Sequence, residues 1–129
     1  MENVQKVVAV VGSRGLVQAP GLLTRLAALQ AAGELAQVVS GGAAGVDSLA
    51  AEWCRAHRVP LLVLRPDYRT HGPAAPHVRN AAIVQRADLV LICWDGQSRG
   101  TLSAARAAAR LGRRCEWLAA QPPSSTLGL

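Results

Sequence analysis

Apolar residues fall along this chain in short unbroken runs, separated by longer segments with a different rhythm. The runs Val7–Val11, Val38–Ser40, Leu61–Leu64 and Leu89–Trp94 are continuous rather than alternating, as in strands buried on both faces. Between and after them, apolar positions recur at helical spacing. Leu22, Leu23, Leu26 and Leu29 mark a first helix, and Val46, Leu49, Ala50 and Trp53 a second. Val78, Ala81, Ala82 and Gln85 mark a third, and Leu102, Ala105, Ala109 and Leu111 a fourth. A short strand at Cys115–Leu118 follows "LGRR", and the tail "QPPSSTLGL" at 121–129 reads as a frayed end. Strands alternating with helices predict an α/β fold: one three-layer domain over 1–120, with a mostly parallel sheet of about five strands flanked by helices.

In open sheets of this kind a ligand binds outside the C-terminal ends of the strands. The unusual residues of this sequence fall there. "GSRG" follows the first strand, "SGGAAGVD" the second, "RPDYRTHG" the third and "DGQSRGT" the fourth. In the second loop, Gly41 and Gly42 allow a tight turn that brings backbone N–H groups close to a ligand. The helix starting near Ala44–Val46 would point its positive end at a phosphate. Ser40 adds a hydroxyl, and Asp47 sits in the first helical turn, where an acid also serves as a dipole partner. Gly96 and Gly100 frame the fourth loop. Ser98, Arg99 and Thr101 offer donors there, with Thr101 a candidate helix cap. Ser13 and Arg14 stand at a third strand end. Asn80, beside Arg79, is a poor helix former, which hints that its side chain is needed for hydrogen bonding.

Some familiar chemistries are excluded. "VGSRGL" lacks the G-x-G-x-x-G dinucleotide fingerprint, and the second strand ends at Ser40 where an Asp or Glu would meet a ribose. No Gly-Lys-Ser/Thr occurs, so a Walker NTPase does not fit. His57, His71 and His77 show no metal spacing, and neither a metal nor a resident cofactor is expected.

Composition adds a second theme. The net charge is +6, and Lys6 is the one lysine beside thirteen arginines. Arginine favours bidentate contact with phosphate and carboxylate, so an anionic partner is one account and an arginine-biased solvent surface the other. Phe is absent, so the core should be Val, Leu and Ala, with Trp53, Trp94 and Trp117 as its few large pieces. Cys54, Cys93 and Cys115 suggest no disulfide framework, and Cys93 reads as a small buried hydrophobe. No signal-peptide pattern is visible and no apolar run has the length of a membrane span. The expectation is a cytoplasmic, reduced protein without a membrane partner.

Taken together, "VAVVGSRG", "VVSGGAAGVDSLAAEW", "PDY…HG", "RNAAIVQRADLVLICWDG" and "SRGTLSAARAAARLG" resemble the SLOG superfamily, especially its small stand-alone YspA-like branch. The likeness runs from about Val7 to Gly112. It implies a Rossmann-like sheet whose loops at Gly12–Arg14, Ser40–Asp47, Arg79–Asn80 and Asp95–Thr101 line one pocket. The implied ligand is a nucleotide or nucleotide derivative, ADP-ribose-like molecules included, and the implied assembly is a homodimer. Asp47 and Asp95 would orient loops or meet a ribose hydroxyl. One departure is Pro76, standing in "AAPHVRN" where the branch usually has Gly before its "RN" helix.

Two more distant likenesses imply other functions. Cytokinin-activating phosphoribohydrolases carry P-G-G-x-G-T-x-E, but "GQSRGTLSAA" places Ser103 at the glutamate, leaving Glu52, Asp47 or Asp95 as substitutes. DprA, which binds single-stranded DNA, shares the "VGSR", "SG-A-G-D" and "RN" segments. For that reading Arg106, Arg110, Arg113 and Arg114 would form a basic patch at the end of the last helix, where cations also favour the helix dipole.

Overall fold

The apolar runs form the strands of one sheet in the computed structural model, which describes residues 4–118. The expected tail at 121–129 lies outside the described residues. The strands are β1 (Lys6–Gly12), β2 (Leu35–Ser40), β3 (Leu61–Val63), β4 (Leu89–Cys93) and β5 (Arg114–Trp117). All pair in parallel, in the order β3-β2-β1-β4-β5. The helices are α1 (Pro20–Ala31), α2 (Val46–His57), α3 (Tyr68–His71), α4 (Ala75–Arg86) and α5 (Arg99–Arg110). This is an α/β Rossmann-like domain.

Alternation along the strands sorts the core into two layers. Val8, Val10, Val38, Leu89 and Leu91 pack against Leu22, Leu26 and Leu29 of α1 and Val46, Ala50, Trp53 and Cys54 of α2. Ala9, Val11, Val39, Val90 and Ile92 face Ile83 and Val84 of α4 and four alanines of α5. Cys93 is fully buried, and burial pushes its thiol up to about 11. Among the described residues no helix is long and apolar enough to cross a membrane.

The helix faces and element ends depart from the sequence pattern in instructive ways. On α4 the residues that turn inward are Asn80, Ile83 and Val84, while Val78 is 41% exposed and Gln85 lies at the surface. A polar residue holds a core-facing position, so a stripe drawn through apolar residues alone misses the true face. On α5 the inward positions are Thr101, Ala104, Ala105, Ala107 and Ala108. Ala109 is exposed, and Leu111 sits beyond the helix as its C-cap. Alanine on nearly every side blurs the helical period. Of the three tryptophans only Trp53 is buried; Trp94 is partly covered and Trp117 is 54% exposed on the edge strand. β2 begins at Leu35 rather than Val38, its first half only partly covered. "RPDYRTHG" contains the one-turn α3, capped by the Asp67 side chain on the Thr70 N–H, and a 3-10 turn at Gly72–Ala74 leads on into α4.

Two arginines tie helices to their surroundings. Arg25 of α1 makes a two-pronged pair with Glu116 of β5 (2.7 and 3.0 Å), which holds the Glu116 carboxyl below its usual range. Arg113 donates to the last-turn carbonyls of α4, Val84 O at 3.1 Å and Gln85 O at 2.8 Å. Arg113→Met keeps the aliphatic stem but leaves those carbonyls to water. The expected loss is about 1–2 kcal/mol, read from the urea midpoint at unchanged m-value.

Candidate functional site

The chain runs outward from β1 to β2 and β3, then crosses back to place β4 on the other side of β1. The loops leaving β1 and β4 therefore diverge, and a crevice opens at the C-terminal edge between them. A cleft of about 400 Å³ lies there, lined from four segments by Gly12, Arg14, Gly41, Asp47, Arg79 and Asn80 and by Asp95, Ser98, Gly100 and Thr101. Its apolar wall is Val10, Val11, Ile83 and Ala104, and Pro76 borders it from the first turn of α4. The remaining predicted positions, Ser13, Ser40, Gly42, Gly96 and Arg99, are not among its lining residues.

Each of those five has another place. Ser13 is fully buried. Its hydroxyl accepts from the Asp95 N–H at 3.0 Å and lies 3.5 Å from the Thr101 hydroxyl, so it locks the β1 loop to the β4 loop. Ser40 is buried beneath the turn, sharing by alternation the strand face of Val38, and its hydroxyl has no partner among the described residues. The Gly42 carbonyl accepts from Arg65 Nη1 at 3.5 Å. Gly96 is exposed in the β4 loop, and Arg99 is the exposed first residue of α5.

On the β2 side the central group is Asp47. Its carboxylate reaches back across the turn to accept the Ala43 N–H at 3.0 Å, and its side chain is almost wholly buried. Burial pushes this carboxyl above its usual range, against the pull of the Ala43 N–H, the Arg79 guanidinium, the Gly41 N–H and Arg14. Arg79 donates through Nη1 to Gly41 O at 3.0 Å and Leu64 O at 3.2 Å, and through Nε to Asn80 Oδ1 at 3.0 Å. Burial lowers the Arg79 guanidinium from its ordinary value, and Asp47 offsets part of that. A Cβ on Gly41 would stand 2.6 Å from Arg79 Nη1, so the guanidinium fits only because position 41 has no side chain. Asn80 carries the tie onward, its amide reaching Gly100 O at 3.4 Å and Ser103 Oγ at 3.5 Å. The "RN" pair thus joins the ends of β2 and β3 to the start of α5.

On the β4 side, Asp95 Oδ1 accepts the N–H groups of Gln97 and Ser98 at 2.8 Å each, which holds its carboxyl below the usual range. That turn delivers Ser98, not Thr101, as the N-cap of α5. Ser98 Oγ accepts the Thr101 N–H at 3.3 Å. Thr101 is instead the third helical residue, buried, its hydroxyl 3.1 Å from Ser98 Oγ. The amino end of α5 opens on the cleft with Gly100 and two hydroxyls. The amino end of α2 is partly occupied, since the Val46 N–H meets Ser13 O at 3.4 Å. Each helix end has one N–H taken, but the buried Asp47 carboxylate stands in the first turn of α2 and no acid in that of α5, so of the two ends expected to receive an anion α5 suits one better.

Three features were not foreseen from sequence: the wall of Val10, Val11, Ile83 and Ala104, the tie made by Ser13, and a contact of 2.9 Å between His77 Nδ1 and Ser103 Oγ. The continuous apolar runs carried a signal for the first; nothing local carried one for the other two. Among the described residues no group of three or more His, Cys, Asp and Glu could hold a metal. Ser103 faces a histidine rather than supplying a carboxylate. Glu52 is exposed on α2 outside the cleft, and Asp95 is committed to backbone N–H groups.

A parallel sheet with a glycine-bordered cleft at its switch point defines the class, a Rossmann-like domain with a polar cleft at the strand ends. The family follows from comparison: the model of the YspA, cpYpsA-related SLOG family (YAcAr) matches residues 6–71, just over half of the chain, and the chain belongs to that family. The match spans β1 to α3, so the Arg79–Asn80 pair and the β4 loop lie beyond it. Among curated proteins none matches the chain.

Proposed function

We propose that the cleft binds a phosphate-bearing nucleotide or nucleotide derivative, a nucleoside phosphate or an ADP-ribose-like molecule, and serves as a ligand sensor. The observation that carries this reading is the pairing of two unlike groups on either side of the end of β1. The amino end of α5 and its hydroxyls favour an anion. The buried Asp47 carboxylate repels one and instead accepts from a hydroxyl. Ribose joined to phosphate offers both in one molecule, and bare phosphate offers one. The apolar wall suits the flat face of a base, and the cleft volume is within the usual range for small-molecule sites. The groups in place hold and orient a ligand.

Thermal shift tests this. AMP, ADP-ribose or NAD at about a hundred times its dissociation constant should stabilise the fold by about 2.7 kcal/mol and raise Tm by several degrees. Inorganic phosphate at equal concentration should not. A silent nucleotide panel, or phosphate alone matching the nucleotides, overturns the reading. Release of free base from a nucleoside monophosphate would make the site hydrolytic instead.

A further inference from the structure

Charge is distributed very unevenly between the two helical layers. α1 and α2 are balanced, with Arg25 and Arg55 against Asp47 and Glu52. α4 and α5 carry Arg79, Arg86, Arg99, Arg106 and Arg110 and no acidic residue. Arg79 is turned inward to carbonyls, but the other four are exposed, and among the described residues no carboxylate pairs with any of them. Arg113 and Arg114, expected in a basic patch, are otherwise engaged: Arg113 caps α4, and Arg114 lies 3.9 Å from Glu116.

On α5 the arginines are spaced seven and four residues apart, which at about 100° per residue keeps them within a narrow stripe. The buried residues Thr101, Ala104, Ala105, Ala107 and Ala108 occupy the opposite side, so the stripe faces solvent. It runs about 16 Å, from the rim of the cleft to the far end of the layer. At its start stand two indoles, one partly covered and one half-exposed. Trp94 donates Nε1–H to Ser98 O at 2.9 Å, next to Arg99, and the half-exposed Trp117 ring meets Trp94 edge-on at 6.2 Å.

We infer that this face binds the backbone of a single-stranded polynucleotide, with Arg99, Arg106 and Arg110 on its phosphates, Arg86 adding a fourth cation from the end of α4 that Arg113 ties to the α5 terminus, and an unpaired base stacked on Trp117. Guanidinium forks match phosphodiester oxygens, and an exposed indole offers stacking only to a base free of its partner. The surface is separate from the cleft and does not depend on the ligand held there.

Fluorescence anisotropy with labelled dT15 and rU15, between 50 and 200 mM salt, tests the proposal and separates DNA from RNA. Binding should weaken with salt at a log–log slope of about −3, as expected for four neutralised phosphates on a single strand. The double variant Arg106→Glu/Arg110→Glu should weaken binding at least tenfold and reduce the slope by roughly 1.4, with the nucleotide-induced thermal shift unchanged. Trp117→Ala should weaken binding roughly five- to hundredfold at every salt concentration and leave the slope alone. Circular dichroism melts confirm that both surface variants fold. The inference is overturned if neither oligonucleotide binds at 50 mM salt, or if duplex of equal length binds as well and Trp117→Ala changes nothing. Retention of the protein on phosphatidylserine vesicles but not on either oligonucleotide also overturns it.

Discussion

Gly45→Ala is expected to cost about 3 kcal/mol or more and to lower Tm by roughly 10 °C or more. Gly45 is the N-cap of α2, with φ 75° and ψ −124°, a region that side-chain-bearing residues scarcely adopt. A methyl group there would also collide with the carbonyls of Ser13 and Arg14, both backbone atoms that cannot swing away. The contact matters because the Val46 N–H meets Ser13 O at this crossing of the β1 loop and the start of α2. Relief of the clash would move Ser13 and loosen its tie to Asp95 and Thr101. Differential scanning calorimetry reads the stability. Gly15→Ala is the control, since its Cβ would meet nothing within 4 Å. A change within about 0.5 kcal/mol is expected there.

That crossing illustrates what a sequence can and cannot convey. The four apolar runs foretold β1 to β4 because a strand buried on both faces must be continuously apolar, a local property, whereas the edge strand β5 carries Arg114 and Glu116 and shows no such run. The cleft's place followed from strand–helix alternation, since the crevice rule depends on topology rather than on particular side chains. Orientation was less legible. Asn80 faces inward because its amide has partners on α5, contacts made twenty residues or more along the chain. Ser40 and Ser13 look alike as serines at strand ends, yet among the described residues the hydroxyl of one is buried without a partner and the other clamps two loops. Thr101 and Ser98 both suit an N-cap, and the choice fell to Ser98 because Asp95 turns the preceding loop. Trp117 reads as core by residue type, but its strand is an edge strand, and only strand order reveals that.

Asp47→Asn is expected to separate stability from binding. The carboxyl is pushed up by burial even after the favourable pull of Arg79 and the backbone is included. Ionising it in the folded protein is therefore harder than in the unfolded chain. A carboxyl with a raised folded pKa contributes most below its unfolded pKa and loses that contribution as pH rises through the folded value. At neutral pH the asparagine variant avoids that cost, and its Oδ1 still accepts the Ala43 N–H. Its Tm should exceed that of the parent at pH 7, with the gap closing as pH falls to 4 and below. Losing the electrostatic attraction to Arg79 does not reverse this, because burial outweighs that attraction. Nucleotide binding should move the other way. A ribose hydroxyl donating to a carboxylate makes a charge-assisted bond, and its replacement by a neutral amide should weaken affinity roughly ten- to hundredfold, as read by calorimetric titration. Equal affinity in both proteins would remove Asp47 from the ligand's contacts and reduce it to a brace for the Ala43 turn. A variant both less stable and weaker at pH 7 would mean that the carboxylate's tie to Arg79 holds the β2 loop in place, and that the charge serves the fold first.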